Sequence, residues 1–211
     1  MHRRWLILVI CLGMMGFSMN RAHAMAGNEY RVKKGDTLWS ISRTYHVGIE
    51  QLKEINGLKK DHLVPGETLQ LPTQNSNGNK ITGKNGLNLT NNDFNWLVRI
   101  TEAEAGGESF DGKVAVASVV LNRVLHKDYP DTVTHVIFEK KGKMFQFSPV
   151  GDGRIYHVVP SEESYKAVRT ALQGIDPTSG ALFFYNPKTA RGSWIRSREV
   201  IAEIGKHQFA Y

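Results

Sequence analysis

The sequence TNNDFNWLVRITEAEAGGESFDGKVAVASVVLNRVLH, residues 90–126, predicts two helices separated by a pair of glycines. Thr90 is followed three positions later by Asp93, a spacing close to that of a capping box. The first helix is therefore expected from about Asn91 to Ala105, with Gly106-Gly107 as its stop. The second segment is rich in Ala and Val, and such small residues allow close packing. We expect it to be the central helix of its domain.

One glutamate of this stretch is a candidate general acid. At about 100° per residue, Glu104 shares a helix face with Leu97 and Ile100, whereas Glu102 falls on the opposite shoulder and Glu108 lies beyond the glycines. Burial and the nearby negative end of the helix dipole both raise a carboxyl pKa, and a proton retained near neutral pH is what a general acid needs. The alternative is a glutamate at the edge of the core, whose methylene groups cover apolar surface while its carboxylate stays in water. Periodicity alone does not decide between a general acid and this structural role.

A smaller module precedes these helices. Residues 30–72 predict the order β-α-α-β, that is, a two-stranded sheet packed on two helices. Asp36 or Thr37 is expected to cap the first helix, and Asn56-Gly57 to end the second. The predicted apolar faces are Leu38, Ile41 and Tyr45 on the first helix and Ile49, Leu52 and Ile55 on the second.

This module resembles the LysM domain, through the pattern Y-x-V-x-x-G-D-T-L, then Asn56, then G-x-x-L-x-L-P over the whole of residues 30–72. The resemblance implies binding of N-acetylglucosamine-containing glycans, chiefly peptidoglycan, between two loops. The implied glycan-binding residues are Gly35, Asp36, Thr37 and Leu38 in one loop and Asn56, Gly57 and Leu58 in the other. The structural alternative is that Gly35, Asp36 and Asn56 act as turn and cap residues, and both roles are compatible.

The segment between the two regions is expected to be a linker. Residues 73–89, TQNSNGNKITGKNGLNL, contain few apolar residues among repeated Asn, Gly, Lys and Thr. Such a composition buries too little surface to order itself, so we predict a flexible linker. An ordered surface loop of this length is the alternative.

The start of the chain predicts export. Residues 1–24 combine a basic start, an apolar run and Ala22-His23-Ala24, which indicates a signal peptide cleaved after Ala24. An uncleaved membrane anchor is the rival interpretation, but the run is shorter than the roughly 20 residues of a spanning helix. We therefore expect a secreted protein with no stable membrane insertion after cleavage, and the LysM resemblance implies association with the cell wall.

Composition limits the kinds of reactive site and binding partner that are expected of the mature chain. Cleavage would remove three arginines and lower the formal charge from +7 to +4, and it would remove Cys11, the only cysteine. The mature chain would then have no disulfide, thiol nucleophile or cysteine metal site. Its mixed charges suit an anionic polymer, while no basic stripe or recognition motif supports nucleic-acid binding.

Residues 91–211 resemble the SleB/CwlJ-type cell-wall hydrolases, the spore-cortex-lytic family. The resemblance rests on AEAGGESFDGKVAVASVVLNRV at 103–124, FQFSPVGDGRIY at 145–156, FFYNP at 183–187, WIRSR at 194–198 and IGKHQFAY at 204–211. It implies a mainly helical, lysozyme-like α+β domain, lytic transglycosylase chemistry and a catalytic glutamate at Glu104. Gly106 and Glu102 depart from the family, which usually has Arg and an aromatic residue there.

Lytic transglycosylase chemistry needs only one carboxyl group. A hydrolysing glycosidase usually has two, whereas here the 6-hydroxyl of N-acetylmuramic acid is the nucleophile, and one glutamate serves as acid and then as base. Glu108 and Asp111 are accordingly interpreted as cap and solvent residues. Either of them facing Glu104 across a groove would favour ordinary hydrolysis instead.

Polar and aromatic residues later in the chain are candidates for the walls of a sugar-binding groove. Gln146, Ser148, Tyr185 and Asn186 are the predicted substrate-binding residues, since amide and aromatic groups suit N-acetyl sugars. Structural roles are at least as plausible for Phe183, Phe184 and Pro187, and also for Asn122 and Arg123, as partners of loop carbonyls and of an acid. Ser161 is expected only to cap a helix over residues 162–173.

Two other functions are weighed against a glycosidase. A metalloamidase would need zinc ligands, but His126, His135, His157 and His207 lack an H-E-x-x-H or other close spacing. A non-catalytic wall-binding protein would leave Glu104 without a role. We therefore predict no metal and no cofactor, peptidoglycan glycan strands as the partner, and a monomer.

Overall fold

The computed structural model of the 211-residue chain describes residues 29–72, 80–84 and 86–211. The predicted signal peptide, residues 1–24, lies outside the described residues, as do residues 73–79 and 85 of the predicted linker.

The front module has the predicted β-α-α-β order. It comprises β1 (Glu29–Arg31), α1 (Leu38–Tyr45), α2 (Ile49–Ile55) and β2 (Thr68–Gln70). The two strands are antiparallel, with Tyr30 opposite Leu69. Thr37 is the cap of α1, in a capping box with Ser40. The module thus closes a small core between one hairpin-like sheet and two short helices.

The predicted apolar faces are largely confirmed. Leu38, Ile41, Ile49 and Leu52 are buried, and Tyr45 is half-buried. Ile55 was predicted to face the core, and this is wrong, because its side chain is 43% exposed. It is the last residue of α2, where the helix has already reached the edge of the small core.

Part of the predicted linker is an ordered hairpin. Within residues 80–89, β3 (Ile81–Thr82) pairs with β4 (Asn88–Leu89) in antiparallel fashion. Leu89 is buried, and the Lys84 backbone N–H donates to the carbonyl of Leu172. Composition did not predict this hairpin because it counts how few apolar residues the segment has. Those few residues all pack against the hydrophobic core. The structured second region therefore begins near residue 80.

The second region is a mixed helix and strand domain, as predicted. Its helices are α3 (Asn91–Ala105), α4 (Phe110–Leu125), α5 (Val133–Phe138), α6 (Ser148–Gly151), α7 (Glu162–Leu172) and α8 (Ser193–Arg196). A 3₁₀ turn covers Arg154–Tyr156. The α4 helix packs against α3, α5 and α7 and is buried throughout Gly112–Leu121. It is the central helix, as its small residues predicted.

Two small sheets complete this domain. One is the hairpin of β5 (Lys140–Lys141) and β6 (Met144–Phe145). The other has three antiparallel strands in the order β7-β9-β8, formed by β7 (Phe183–Tyr185), β8 (Val200–Ile204) and β9 (His207–Ala210). Phe209 of the middle strand is fully buried and shares an apolar cluster with Ala105 of α3 and with Val116 and Val119 of α4. The sheet therefore covers the end of α3.

The front module is docked on α3. The indole nitrogen of Trp96 donates to the carbonyl of His46 at 2.7 Å, and the guanidinium of Arg99 lies against Gly48. The buried apolar residues of both regions form one continuous cluster. The hydrogen bond and this shared core fix where the front module sits against the second domain.

Asp93 joins the start of α3 to the start of α5. Its buried carboxylate accepts from the backbone and hydroxyl of Thr90 and from the backbone and hydroxyl of Thr134, at 2.7–3.2 Å. Asp93→Ala would leave buried donors unpaired at both helix starts. We expect it to lower the free energy of unfolding by about 2–4 kcal/mol, measured by urea denaturation.

Asp111→Ala is the matched control, since Asp111 is an exposed carboxylate in the first turn of α4. Only its favourable interaction with the helix dipole is lost, so its cost should stay below about 1 kcal/mol. Equal losses in the two variants would contradict the role assigned to Asp93.

Candidate active site

Glu104 is a largely buried carboxyl group in the last turn of α3. Among the described residues, no side chain or backbone group donates a hydrogen bond to it. Burial raises the pKa of Glu104 to about 7. The charge of Arg154 opposes this rise, the charge of Asp152 adds to it, and Arg123 opposes it weakly. Desolvation therefore dominates, as the helix periodicity predicted.

A carboxyl group with this pKa can both give and take a proton near neutral pH. About half of the molecules carry the proton at pH 7, and the group becomes a base as soon as the proton has been delivered. Because no group in the described part of the chain donates to the carboxyl, both of its oxygens are available to a substrate. The arrangement suits general acid–base catalysis on a bound oxygen atom.

Asp152 and Arg154 form an ion pair whose charges act on Glu104. The Arg154 backbone N–H donates to one carboxylate oxygen of Asp152 at 2.9 Å, and its Nε donates to the other at 2.8 Å. Burial raises the pKa of Asp152, but the hydrogen bonds and charge of Arg154 outweigh it and hold that pKa below its ordinary value. The site thus combines a protonated and an ionised carboxyl group, a pattern typical of acid–base sites.

Sequence reasoning missed Asp152 and Arg154. Both lie in the 145–156 motif, but their proximity to Glu104 depends on the packing of α3 against α6 and the 3₁₀ turn. The Asp-Gly-Arg order was the available signal, because Gly153 adopts φ +86° and lets the chain reverse between the two charges. Asp152, rather than Glu108 or Asp111, is the carboxylate whose charge reaches Glu104.

Arg123 supports the site from the central helix. Its Nε donates to the carbonyl of Leu182 at 2.8 Å, and its guanidinium lies over the rings of Phe147 and Tyr129, at 5.0 and 5.3 Å. Neighbouring Asn122 donates to the carbonyl of Ala181 and to Asp176. These contacts agree with the structural roles predicted for Asn122 and Arg123; the hydrogen bond to an acid is made by Asn122, while Arg123 acts on Glu104 and Glu139 through its charge.

Glu102 and Glu108 are occupied elsewhere. Glu102 accepts from the backbone and hydroxyl of Ser161 and from the hydroxyl of Ser164, at 2.6–3.0 Å, and so joins α3 to α7. Ser161 caps α7, as predicted, but the expectation that it does only this is wrong, because it also donates twice to Glu102. Glu108 was expected to be a solvent residue, and this is wrong. Its side chain is only 8% exposed, because it accepts from the Lys206 backbone N–H and pairs with the ammonium of Lys206.

The predicted groove residues fall into two places. Gln146 is half-buried, and exposed Ser148 begins α6, directly before the Asp152–Arg154 pair. Tyr185 ends β7, opposite Gln208 of β9. Asn186 forms a turn, with its side-chain oxygen accepting from the Lys188 backbone. It lines a cavity of about 230 Å³ against the β8–β9 hairpin, and Glu104 is not among the residues of that cavity.

The side chains predicted to bind glycans in the front module hold its loops together. Asp36 accepts from the hydroxyl of Tyr30 at 2.6 Å and from the Lys33 backbone at 2.7 Å. Asn56 donates to the carbonyl of Leu52 and exchanges two hydrogen bonds with the backbone of Gln70. Leu38 is buried.

Both loops turn at a glycine that faces open space. Gly35 and Gly57 have φ values of +93° and +63°, and apart from their chain neighbours no atom lies within 4 Å of the Cβ position of either. The Gly57 N–H donates to the carbonyl of Glu54, so what the loops offer is open surface over the glycines, where an N-acetyl sugar can approach the backbone closely. The structural interpretation of Asp36 and Asn56 is thus compatible with a glycan-binding surface made by their loops.

In residues 29–72, 80–84 and 86–211, no group of three His, Cys, Asp or Glu side chains is arranged to hold a metal ion. No helix in the same ranges has the length and apolar character needed to cross a membrane.

Comparisons with known proteins agree with the sequence resemblance. The cell wall hydrolase family model matches residues 107–210, and the LysM domain model matches residues 30–72. The catalytic domain of the germination-specific lytic transglycosylase SleB from Bacillus anthracis is 43% identical, with a TM-score of 0.52 over 58% of this chain and 96% of that domain. The catalytic domain of the Bacillus cereus SleB protein gives 42% identity, a TM-score of 0.52, and coverage of 64% and 99%. The chain belongs to the SleB-type cell wall hydrolase family.

Curated relatives extend the comparison. The spore cortex-lytic enzyme of Bacillus cereus is 43% identical over 135 residues, which cover 62% of this chain and 50% of that protein. The chain thus spans about half the length of this relative. The probable peptidoglycan endopeptidase LytE of Bacillus subtilis is 52% identical over 42 residues, which cover 20% of this chain and 13% of that protein.

Proposed function

We propose that this chain is a secreted peptidoglycan-degrading enzyme that cleaves the glycosidic bond between N-acetylmuramic acid and N-acetylglucosamine as a lytic transglycosylase. The observation that carries the proposal is the desolvated carboxyl of Glu104, with its pKa of about 7 and no internal hydrogen-bond donor among the described residues. The likeness to SleB catalytic domains supports it. Its setting is the spore cortex or the remodelled cell wall.

Glu104 performs both proton transfers in this mechanism. Its carboxyl proton passes to the bridging oxygen as the bond to C1 of the muramic acid breaks, and positive charge develops on that sugar ring. The resulting carboxylate then takes the proton from the 6-hydroxyl of the same sugar as the hydroxyl oxygen bonds to C1. The products are a free hydroxyl on the leaving sugar and a 1,6-anhydro ring, and Glu104 is again protonated.

The charges around Glu104 suit this sequence. Asp152 stays ionised beside the reacting ring and opposes the loss of the Glu104 proton before substrate is bound. Arg154 and Arg123 stabilise the Glu104 carboxylate once the proton has left. We place Gln146, Ser148, Tyr185 and Asn186 as substrate-binding residues, and the loops Gly35–Leu38 and Asn56–Leu58 as the wall-binding surface of a monomer.

Ordinary hydrolysis is the second candidate, and Asp152 is the observation that favours it. An ionised carboxylate whose charge reaches the general acid could activate water, which is the two-carboxyl arrangement of hydrolysing glycosidases. The two reactions use the same acid and differ only in the nucleophile. Their products are therefore what separates them.

Mass analysis of the soluble fragments released from purified peptidoglycan tests the proposal. We expect 1,6-anhydro-muramic ends, lighter by one water than reducing ends, and unchanged yield in the presence of a chelator. Reducing ends that disappear in Asp152→Asn would instead establish hydrolysis. Released stem peptides, lost with EDTA and restored with zinc, would establish an amidase, and binding without any release would leave a wall-binding protein.

A further inference from the structure

The Trp39 indole lies at the junction between the front module and the loop beside Glu104. It sits in the first turn of α1, directly after the Gly35–Leu38 loop, and it is 40% exposed while its neighbours Leu38 and Ile41 are buried. Its ring nitrogen lies 3.3 Å from the Cβ position of Gly153. A side chain of the front module therefore touches the residue between Asp152 and Arg154.

A cavity of about 400 Å³ opens at this contact. It is lined by Trp39, Asp152, Gly153, Arg154, His157 and Val158. The first of these belongs to the front module and the rest to the catalytic domain. Two of the lining residues, Asp152 and Arg154, are those whose charges act on Glu104, so the cavity lies within electrostatic range of that carboxyl group.

The position of this junction is fixed by the contacts beneath it. The guanidinium of Arg43 lies 5.2 Å from the centre of the Trp39 ring and restrains it from the α1 side. Arg99, which packs on Gly48, donates to the carbonyl of Val158 at 2.9 Å. The same arginine thus contacts the front module and the cavity wall. These contacts restrain the Trp39 ring at a defined position at the cavity.

The chemistry of the cavity fits a sugar. An exposed indole offers a rigid apolar ring whose negative face attracts the C–H groups of a pyranose. Arg154, Asp152 and His157 offer donors and acceptors at the rim for hydroxyl and N-acetyl groups. Small-molecule sites combine such an apolar surface with a few placed polar groups.

We propose that Trp39 and the loop Asp152–Val158 form a sugar subsite that extends the catalytic cleft onto the front module. Its occupant is a more distant sugar of the same glycan strand that is cleaved at Glu104. This inference rests on the proposed function, and it makes the front module part of the cleft. Binding of remote sugars then contributes to the catalytic step, because it positions the scissile bond over Glu104.

The test compares substrates of different length. Peptide-free glycan strands are separated into long strands and tetrasaccharides, and kcat/KM is measured for the full mature chain on each. Trp39→Ala should lower kcat/KM on long strands about three- to tenfold and leave the tetrasaccharide rate unchanged. Trp39→Phe, which keeps an aromatic ring, should recover most of the long-strand rate.

His157→Ala tests a second lining residue of the subsite, with an exposed side chain whose removal is compatible with folding. It should also lower the long-strand rate selectively, and the double variant with Trp39→Ala should lose less than the product of the two effects. Val64→Ala, an exposed apolar residue of the front module outside the cavity, is the matched control and should change neither rate.

Equal loss on long strands and tetrasaccharides would overturn the proposal, because Trp39 would then act on folding or on the Glu104 site itself. A long-strand effect of Trp39→Ala with none from His157→Ala would also overturn it, since Trp39 would then serve wall binding alone. Failure of the proposed function looks different, because the unmodified chain would then release no anhydro products from any strand.

Discussion

Glu104→Gln is expected to reduce lysis of purified peptidoglycan by about 10²–10⁴-fold, the usual contribution of general acid catalysis. Glutamine keeps the shape of the side chain but has no acid proton to deliver to the bridging oxygen. The carboxyl of Glu104 accepts no hydrogen bond from the described residues, so the substitution removes no structural partner there. Release of soluble fragments and sedimentation with insoluble wall should be measured together, and binding should be retained.

Glu102→Gln is the matched control on the same helix. It keeps one oxygen for Ser161 and Ser164 and loses the charge on their hydrogen bonds, which should lower the free energy of unfolding by about 1 kcal/mol. Its lytic rate should remain within a few-fold of that of the unmodified chain. Normal lysis by Glu104→Gln, or an equal loss in both variants, would refute the assignment of Glu104 as the acid.

The pH profile of kcat/KM should fall on its alkaline side. The reaction begins with protonated Glu104, and because burial raises its pKa to about 7, the active form is complete well below pH 7 and is lost above it. The decline should reach about tenfold per pH unit, so that the rate at pH 9 is about 100-fold below the plateau. Initial rates on peptide-free strands, at constant ionic strength, measure this directly.

Two variants should move this inflection in opposite directions. Asp152→Asn removes a negative charge that raises the pKa of Glu104, so its inflection should shift to lower pH. Arg154→Gln removes the positive charge that lowers the same pKa, so its inflection should shift to higher pH. A decline that is insensitive to both substitutions, or a rate that rises through pH 7, would show that another group controls the profile.

Local patterns were enough to predict the elements that carry the site. The capping box at Thr90 and Asp93, the glycine stop and the apolar spacing placed α3 correctly, and Glu104 on this helix is half-buried with a desolvated carboxyl group. The same reasoning gave the β-α-α-β order of the front module. These features depend on neighbours within a few positions, where helix periodicity and cap chemistry are decisive.

The parts that were missed depend on residues far apart in the sequence. Asp152 and Arg154 act on Glu104 only because α6 and the 3₁₀ turn pack against α3. Glu108 is buried by Lys206, nearly a hundred positions away, and Trp96 reaches the carbonyl of His46 across the linker. Nothing in the spacing around any of these residues encodes its partner. The hairpin of residues 80–89 was hidden for the same reason, since α7 is what covers it.

The order of strands in the β7-β9-β8 sheet has a consequence for the order in which the domain can be completed during synthesis. The middle strand, His207–Ala210, follows both of its partners in the sequence, and its Phe209 covers the end of the helix that carries Glu104. While β9 is still unmade during synthesis, the two flanking strands do not yet have the strand that pairs between them. Domains fold as units once their residues are available. The end of the helix that carries Glu104 is therefore covered only after residues 207–210 have been made.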